Sequence, residues 1–406
     1  MTAARADRSA GAVTSAIATP GEGRAAAVVA PIAPLLARIA ASPVLVILVL
    51  YAVSRLALLA IGGLTVVAID STVYLDTGRS LLCRWDCGWY LEIVRHGYSS
   101  IGPLEQPGQT TLAFFPVYPL LIGAVSATLG IDVLPAALLI SNLCFVAALI
   151  YVYRYAQLLG CSRPVGLLAV ALICFVPQGF VFSAAYTESL FLLLLVGAMY
   201  HVRCGQFLIA GLLAAALSGV RANGVFFVFF MLLWIVRNFG VTALLTPWRR
   251  PQLFVPIVLA PLGLFCFWAY CFALTGDAFA QASSVAHGWG WRSDLPWTNV
   301  LAHLRTGGLA TFWVLCSLAA FAGSLLLLRL RLYEEFGLCL MILLLLWSGQ
   351  IPNSLLRYCI VLFPIAIGLA RHLDGRPLTS AVVFACFALL NGFLMTAWTL
   401  GNSITI

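Results

Sequence analysis

The stretch VLVILVLYAVSRLALLAIGGLTVVA, residues 44–68, decides the fold class of this protein. It is apolar throughout except for one charge, Arg55. A helix of about 20 apolar residues is long enough to cross the hydrocarbon core of a bilayer. The stretch therefore predicts a membrane span. It is also too long for the core of a signal peptide, so we expect no cleavage.

The composition of the whole chain agrees with this prediction. Of its 406 residues, 63% are hydrophobic and only 9% are charged, whereas soluble domains carry about 25% charged residues. These values exclude a soluble globule, a disordered chain and a nucleic-acid binder. The 22 basic residues are all arginine, and with 14 acidic residues they give a net charge of +8. In a membrane protein such a charge indicates topology and contact with anionic lipid headgroups.

The rest of the chain divides into a tail and one membrane domain. Residues 1–42 are rich in Ala, Gly and Ser with several arginines, which predicts a mobile basic cytoplasmic tail. Residues 43–406 predict a single all-α transmembrane domain, because helices satisfy their own backbone groups in lipid. After residues 44–68, further apolar runs lie at 113–130, 134–158, 165–182, 189–203, 207–220, 224–238, 253–274, 307–330, 336–352, 357–371 and 379–400.

The arginines predict which turns face the cytoplasm. Cytoplasmic turns are enriched in arginine, and arginines close alternate turns here, at positions 154 and 163, 203, 237 with 249 and 250, 329 with 331, and 371 with 376. The tail and these turns can all face the cytoplasm only if the run 113–130, with Pro116 and Pro119, dips into the outer leaflet and returns. This gives about eleven crossings and an outer loop at 69–133. Twelve crossings with one violation of the rule remain an alternative.

Residues 84–98, RWDCGWYLEIVRHGY, form the densest polar and aromatic stretch of that outer loop. On a helix, Asp86, Trp89 and Ile93 fall on one side, which predicts an amphipathic helix lying along the membrane surface. The aromatic residues favour the interface. An acid between two tryptophans is unfavourable there unless it has a partner or a chemical task.

Seven runs of this sequence resemble one known family. These runs are RWDCGWYLEIVRHGY (84–98), LAFFPVYPLL (112–121), SNLCFVAALIYVYR (141–154), SAAYTESLF (183–191), VRANG (220–224), GDAFA (276–280) and SLLRYCIVLFPIAI (354–367). The chain resembles the PIG-V-like mannosyltransferase family, that of GPI mannosyltransferase 2, over residues 45–372. The block WD-x-x-WY followed by FFPxYP and YTESLF is the specific part. Two departures are Cys87, usually a small residue without sulfur, and Ala222, where a proline usually follows the arginine.

The resemblance implies a GT-C-like bundle with a catalytic carboxylate in the first outer loop, beside membrane-parallel helices. It implies polyprenyl-phosphate-mannose as the sugar donor and a hydroxyl of a glycolipid or glycan as the acceptor. A related donor such as polyprenyl-phosphate arabinose remains open, and a lipid or sugar transporter is the less favoured alternative. The sequence has no glycine-rich phosphate loop, which argues for a lipid-linked donor.

The chemistry of an inverting transfer selects the candidate residues. A carboxylate must take the proton of the acceptor hydroxyl, and Asp86 is the candidate base, with helix capping as the alternative role. The leaving phosphate needs cationic donors. Arg221 and Arg357, predicted at the outer side, have the planar guanidinium that suits a phosphate. Either one can instead extend to the interface as a simple anchor.

Other residues are predicted to bind substrate. Glu188 with Tyr186 is expected to orient the sugar or to hold an arginine, although Thr187 or Ser189 can cap a helix there. Arg55 is expected to pair with a loop acid or to line the polyprenyl groove. The remaining predicted binding residues are Arg84, Trp85, Trp89, Tyr90, Glu92, His96 and Asp277. Asp277 can instead serve as a helix cap.

The cysteines and the amino-acid composition give expectations about metal sites and about the source of the protein. Cys83 and Cys87 lack a second ligand pair, so no metal site is predicted, and the only required small molecule is the lipid-linked substrate itself. A disulfide between them remains open, because it would compete with helical geometry around Asp86. The absence of lysine and the abundance of Ala, Leu, Val and Arg favour a bacterium with GC-rich DNA. We therefore expect a plasma-membrane protein with its site outside, or an ER protein if the source is eukaryotic.

Overall fold

The computed structural model describes residues 41–69, 81–99, 108–352 and 354–405. Within those residues the regular structure is helical, with one isolated bridge between Ser293 and Gly349. The all-α fold class is therefore confirmed. The described residues separate into two units, with the division between Val46 and Ile47. Most of the predicted tail and the loop acids Asp70, Asp76 and Glu105 lie outside the described residues.

The described α-helices are α1 Pro43–Ile69, α2 Asp86–His96, α3 Val117–Leu129, α4 Val133–Leu158, α5 Arg163–Cys174, α6 Glu188–Arg203, α7 Phe207–Val220, α8 Phe227–Phe239, α9 Thr242–Leu245, α10 Val255–Leu259, α11 Leu262–Thr275, α12 Ala280–Trp289, α13 Pro296–Thr306, α14 Gly308–Arg329, α15 Tyr333–Ser348, α16 Leu355–Cys359, α17 Phe363–Leu373 and α18 Pro377–Thr399. Short 3-10 turns connect several of them.

Six helical stretches are long and apolar enough to cross a membrane. They are Pro43–Ala68, Val133–Leu158, Ala222–Phe239, Pro251–Thr275, Gly308–Arg329 and Pro377–Thr399. Each coincides with a span predicted from the sequence. The other predicted spans correspond to shorter helices, so the total of eleven crossings stays a prediction.

Three predicted spans are interrupted, and this corrects the sequence analysis. The run 253–274 is divided between α10 and α11, with Pro261 at the break. The run 165–182 ends as a helix at Cys174 and continues through irregular backbone to a 3-10 turn at Gly179–Phe182. The run 357–371 is split between α16 and α17, with Pro364 in the first turn of α17. Proline lacks an amide hydrogen and starts helices more readily than it continues them. A hydropathy profile records only that these segments are apolar, so it misses the breaks.

Helix α3 is the predicted re-entrant segment. It has 13 residues and is therefore about 20 Å long, which is shorter than the ~30 Å hydrocarbon core. Gly130 caps it in the left-handed conformation, where glycine is favoured, and the chain turns directly into α4. The Tyr118 hydroxyl lies 2.8 Å from the hydroxyl of Ser141 on α4. The re-entrant course of this helix stays a prediction.

Close helix packing positions the core of the second unit. At the crossing of α7 and α11, a Cβ added to Gly263 would lie 2.2 Å from the carbonyl oxygen of Ala215 and 2.8 Å from the Cα of Gly219. Only glycine permits that backbone approach, as is common in helix pairs within membranes. The crossing fixes the end of α7, where Arg221 follows.

Candidate active site

Asp86 lies at the first residue of α2, and its carboxylate faces an arginine. Its Oδ2 accepts a hydrogen bond of 2.7 Å from Nη1 of Arg357. The capping position is occupied by Trp85, and no side chain caps this helix. The alternative role of Asp86 as a helix cap is therefore wrong. The side chain of Asp86 is 23% exposed, so a ligand can reach it.

The segment before α2 is closed by a disulfide. Cys83 and Cys87 are bonded, with Cα atoms 5.3 Å apart, which answers the question that the sequence left open. The expected conflict with helical geometry does not arise, because Cys83 precedes the helix and only Cys87 lies in its first turn. Trp85, inside this ring, has φ +50°. A left-handed conformation at such a bulky residue is strained by about 1–3 kcal/mol.

Glu188 links two arginines behind Asp86. Its Oε1 accepts a hydrogen bond of 2.5 Å from Nη2 of Arg221. The same oxygen lies 3.0 Å from Nε of Arg357, without the alignment of a hydrogen bond. Arg357 therefore bridges Asp86 and Glu188, and the predicted role of Glu188 in holding an arginine agrees with these contacts. We name these four residues the Asp86 cluster.

The Asp86 cluster is buried and incompletely bonded. Glu188 is fully buried, and Arg221 and Arg357 are 8% and 6% exposed. Within the described residues, Oε2 of Glu188 and Nη1 of Arg221 have no hydrogen-bond partner. A buried polar atom left without a partner costs about 1–3 kcal/mol. Such atoms are expected where a polar ligand or water completes the bonding.

The charges of the cluster keep Arg221 protonated. Burial alone would lower the pKa of Arg221, but the carboxylate of Glu188 together with the nearby Tyr358 and Tyr90 raises the pKa above its usual value. The guanidinium also lies 4.6 Å from the centre of the Tyr358 ring, which favours the cation further. A permanent positive charge is what a phosphate ligand requires.

Tyr186 connects the cluster to the loop backbone. Its hydroxyl donates to the carbonyl oxygen of Arg84 at 2.9 Å and accepts from the amide of Asp86 at 3.2 Å. The Arg357 guanidinium lies 5.0 Å from the centre of its ring. Burial raises the pKa of Tyr186 well above its usual value, as does the charge of Asp86. Tyr186 is therefore a neutral hydroxyl that fixes the backbone next to the candidate base.

Arg84 and Trp85 directly precede the candidate base in the sequence. Arg84 donates from Nη2 to the carbonyl oxygen of Thr399, which ties the loop to the end of α18. Trp85 is 41% exposed. Neither the contact of Arg84 nor the exposure of Trp85 tests a role with substrate. Substrate binding by these two residues stays a prediction.

An aromatic wall continues from the cluster along α2. Trp89 stacks on Phe114, with ring centroids 5.8 Å apart, and meets Trp289 edge-on at 5.5 Å. Tyr90 is buried and packs edge-on against Tyr118 at 5.2 Å. Trp89 therefore belongs to a wall built by side chains from distant parts of the sequence, whereas Tyr90 faces the protein core.

Arg55 lies in a different environment from the one expected. Its Nη1 and Nη2 donate to the carbonyl oxygens of Gly179 and Cys174, both at 2.7 Å. These carbonyls flank the break after α5, where backbone groups in an apolar setting need donors. Among the described residues no acid pairs with Arg55, so its contacts support a structural task.

Three further predicted binding residues form local pairs on the surface. Glu92 lies 2.9 Å from His96 along one helix face, and both are largely exposed. Asp277 accepts from the amide of Phe279 at 2.8 Å, as the capping alternative predicts. The structure therefore does not bring these residues into the Asp86 cluster.

The sequence analysis did not single out Tyr358, which contacts the cluster, or Asn223, which follows Arg221 by two residues. Tyr358 lies against both Arg221 and Arg357, and it directly follows Arg357 in the sequence. Asn223 is 6% exposed, and its side-chain oxygen has no partner within the described residues. Both fall inside motifs that carry the family resemblance, which was the available signal.

Proteins of known activity are similar to this chain over part of their length. The Mus musculus protein GPI alpha-1,6-mannosyltransferase 2 is 33% identical over 207 residues, 47% of this chain and 40% of that protein. The Homo sapiens protein of the same name is 30% identical over 215 residues, 48% of this chain and 42% of that protein. The match thus spans well under half of these relatives.

The fold also has a distant likeness among solved structures. The Archaeoglobus fulgidus oligosaccharyltransferase in its apo form aligns with a TM-score of 0.45 and 12% sequence identity, covering 88% of this chain and 55% of that chain. The same enzyme in complex with an inhibitory peptide and a dolichol-phosphate aligns with a TM-score of 0.42.

The family match covers most of the Asp86 cluster. Residues 44–297 match the family described as mannosyltransferase (PIG-V), and this range contains Asp86, Glu188 and Arg221. The range exceeds half of the 406 residues, and it confirms the resemblance found in the sequence motifs. The chain therefore belongs to the mannosyltransferase (PIG-V) family.

Proposed function

We propose that this protein is an inverting mannosyltransferase that moves a mannosyl group from polyprenyl-phosphate-mannose to a hydroxyl of a glycolipid or glycan. The observation that carries the proposal is the Asp86 cluster, in which Arg357 joins the reachable carboxylate of Asp86 to the buried Glu188, and Glu188 also binds Arg221. The named activity of the relatives supports mannose as the sugar.

The proposed chemistry begins at Asp86. Within the described residues the carboxylate uses Oδ2 for Arg357, which leaves Oδ1 to accept the proton of the acceptor hydroxyl. The acceptor oxygen then bonds to C1 of the mannose while the bond from C1 to the phosphate oxygen breaks. Proton transfer by a positioned carboxylate contributes about 10²–10⁴-fold to such a step.

The arginines act on the leaving phosphate. Negative charge grows on the phosphate as the bond to C1 breaks, and preorganised cationic donors stabilise it. Nη1 of Arg221 is free of protein partners within the described residues and is available to a phosphate oxygen. Arg357 already contacts Asp86, so a phosphate bound to it would place the leaving group beside the base.

Two observations support a site on the outer face. The rule that cytoplasmic turns are enriched in arginine favours the side opposite the cytoplasm for the loop 69–133. The disulfide of Cys83 and Cys87 is of a kind that persists in oxidising compartments and is rare in the cytosol. We propose that α2 lies along that surface in a GT-C-like arrangement, in a bacterial plasma membrane or, in a eukaryote, the ER membrane.

The decisive experiment is a donor panel. The purified protein in liposomes is supplied with polyprenyl-phosphate-mannose, -arabinose or -glucose and with a glycolipid acceptor, and sugar transfer is followed by mass spectrometry. We expect transfer from the mannose donor only. Transfer from the arabinose donor instead would replace mannose in the proposal, and passage of unmodified lipid across the bilayer without transfer would indicate a transporter.

A further inference from the structure

The backbone on both sides of the candidate base is closed into a ring. The disulfide between Cys83 and Cys87 encloses Arg84, Trp85 and Asp86. Cys87 is fully buried in the core, whereas Cys83 is half-buried. The bond therefore anchors the segment that precedes α2 to the buried face of that helix.

Trp85, inside this ring, has an unfavourable backbone conformation. Its φ of +50° lies in the left-handed region, and its side chain is 41% exposed. Packing covers only part of the indole and therefore constrains this backbone incompletely. A strained residue persists only where its surroundings determine it from several directions, and a covalent ring spanning Trp85 is one such constraint.

The strained residue directly precedes the carboxylate that the mechanism uses. The amides of Cys87 and Gly88 donate to the carbonyl oxygens of Arg84 and Trp85, at 3.1 Å and 3.3 Å. These bonds start α2 with Asp86 facing Arg357. Any relaxation of Trp85 towards a negative φ would rotate the next peptide and change the direction of the Asp86 side chain.

We propose that the Cys83–Cys87 disulfide is a positioning device for Asp86, which holds the carboxylate against Arg357 and releases it when the bond is reduced. The inference rests on the proposed role of Asp86 as the base. The two cysteines act through Asp86 and do not touch the reacting atoms. A dithiol supplies two electrons and two protons, the S–S bond becomes two thiols, and the dithiol becomes a disulfide.

Reduction of the folded protein is the direct test, because it avoids any failure to fold. Full-length protein in liposomes is treated with dithiothreitol, and transfer is measured before reduction, after it and after reoxidation. We expect kcat to fall by about 10²-fold while the donor KM stays within about twofold, and reoxidation to restore kcat. A purely structural bond would change KM and folded fraction together. Unchanged kcat after complete reduction would overturn the inference.

Serine variants give the matched controls. Cys83→Ser with Cys87→Ser should show the same reduced kcat and no response to dithiothreitol. Cys266→Ser with Cys386→Ser removes two exposed free thiols and should retain both wild-type kcat and the full response to the reductant. If the Cys266 and Cys386 variant lost the response, the sensitive thiols would lie elsewhere, and the inference would fail.

Hydrogen exchange tests the ring without reference to sugar transfer. Reduction should raise amide exchange at Cys87 and Gly88, whose amides donate to carbonyl oxygens inside the ring, and leave α6 unchanged. Unaltered exchange at these amides would overturn the inference. If the oxidised protein transferred no sugar from any donor, the proposed function would fall, while the exchange measurement would still decide whether the bond holds this segment.

Discussion

Helix α6 has a buried ion-pair cluster at each end, and the two clusters differ in what they leave unbonded. Its first residue, Glu188, belongs to the Asp86 cluster. Its last residue, Arg203, bonds to Glu335 on α15, and its Nε donates to the Tyr155 hydroxyl on α4 at 2.7 Å. We call Tyr155, Arg203 and Glu335 the Glu335 cluster. With 16 residues, α6 separates the two by about 24 Å.

The Glu335 cluster resembles a structural clamp. The Tyr155 hydroxyl donates to Glu335 at 2.5 Å. The Glu335 carboxylate, the Arg203 guanidinium and the Tyr155 hydroxyl therefore bond to one another across three helices. One oxygen of Glu335 lacks a partner within the described residues, but it is an acceptor. Arg203 is 18% exposed, so its remaining donors can be hydrated.

The Asp86 cluster differs in having an unused cationic donor beside a reachable carboxylate. Nη1 of Arg221 is buried and without a partner in the described part of the chain, and Asp86 is 23% exposed. A phosphate requires donors, and a proton acceptor requires access. The comparison teaches that neither a buried ion pair nor a single unbonded acceptor marks a site, whereas an unbonded cationic donor beside a reachable carboxylate does.

The largest expected effect separates the two acids. Asp86→Asn should lower kcat by about 10²–10⁴-fold with little change in the donor KM, because the amide keeps the shape but accepts no proton. Glu335→Gln should leave kcat per folded molecule unchanged. Transfer of radiolabelled mannose in liposomes measures both. Equal loss in the two variants would erase the distinction between the clusters.

The next effect separates the two arginines. Arg357→Lys keeps a positive charge but loses the planar fork that reaches Asp86 and Glu188 together, so we expect kcat to fall by about 10²-fold. Arg203→Lys at the other end should leave kcat unchanged. Steady-state transfer at saturating donor is the measurement. Wild-type turnover by Arg357→Lys would remove the fork from the proposed mechanism.

The third effect concerns stability. Glu335→Ala leaves Arg203 without its acid, and breaking a buried pair costs about 3–5 kcal/mol; partial exposure of Arg203 places the expected loss near the lower value. Thermal unfolding in detergent should show a lowered Tm, while kcat of the folded fraction stays at the wild-type value. A lowered kcat with an unchanged Tm would indicate that the Glu335 cluster takes part in transfer.

Part of this architecture was predictable because charges are scarce in the chain. Every buried ion in an apolar environment needs a partner, so the few acids and arginines near motif residues were natural candidates. The structure brings Asp86, Glu188, Arg221 and Arg357 together as one cluster. Long apolar helices such as α4 and α18 followed from length and hydropathy alone.

Contacts with the backbone were not predictable from the sequence. Arg55 bonds to carbonyls at a helix break, and Arg84 reaches the carbonyl of Thr399 at the far end of the chain. Any residue offers a carbonyl, so such partners leave no residue pattern. The stacking of Trp89 with Trp289 likewise depends on how two distant loops fold together.

The smallest expected effect separates the two tyrosines. Tyr186→Phe removes a hydroxyl bonded to Arg84 and Asp86 but keeps the ring under Arg357, so a loss of about 1 kcal/mol, or about fivefold in kcat, is expected. Tyr155→Phe should lower Tm and leave kcat unchanged. Burial raises the pKa of Tyr186 well above its usual value, so the hydroxyl stays protonated. The ratio of wild-type to Tyr186→Phe activity should therefore be constant from about pH 6 to about pH 9. A ratio that changes across this range would mean that the Tyr186 hydroxyl itself exchanges a proton during transfer, and the assignment of Asp86 as the sole base would have to be given up.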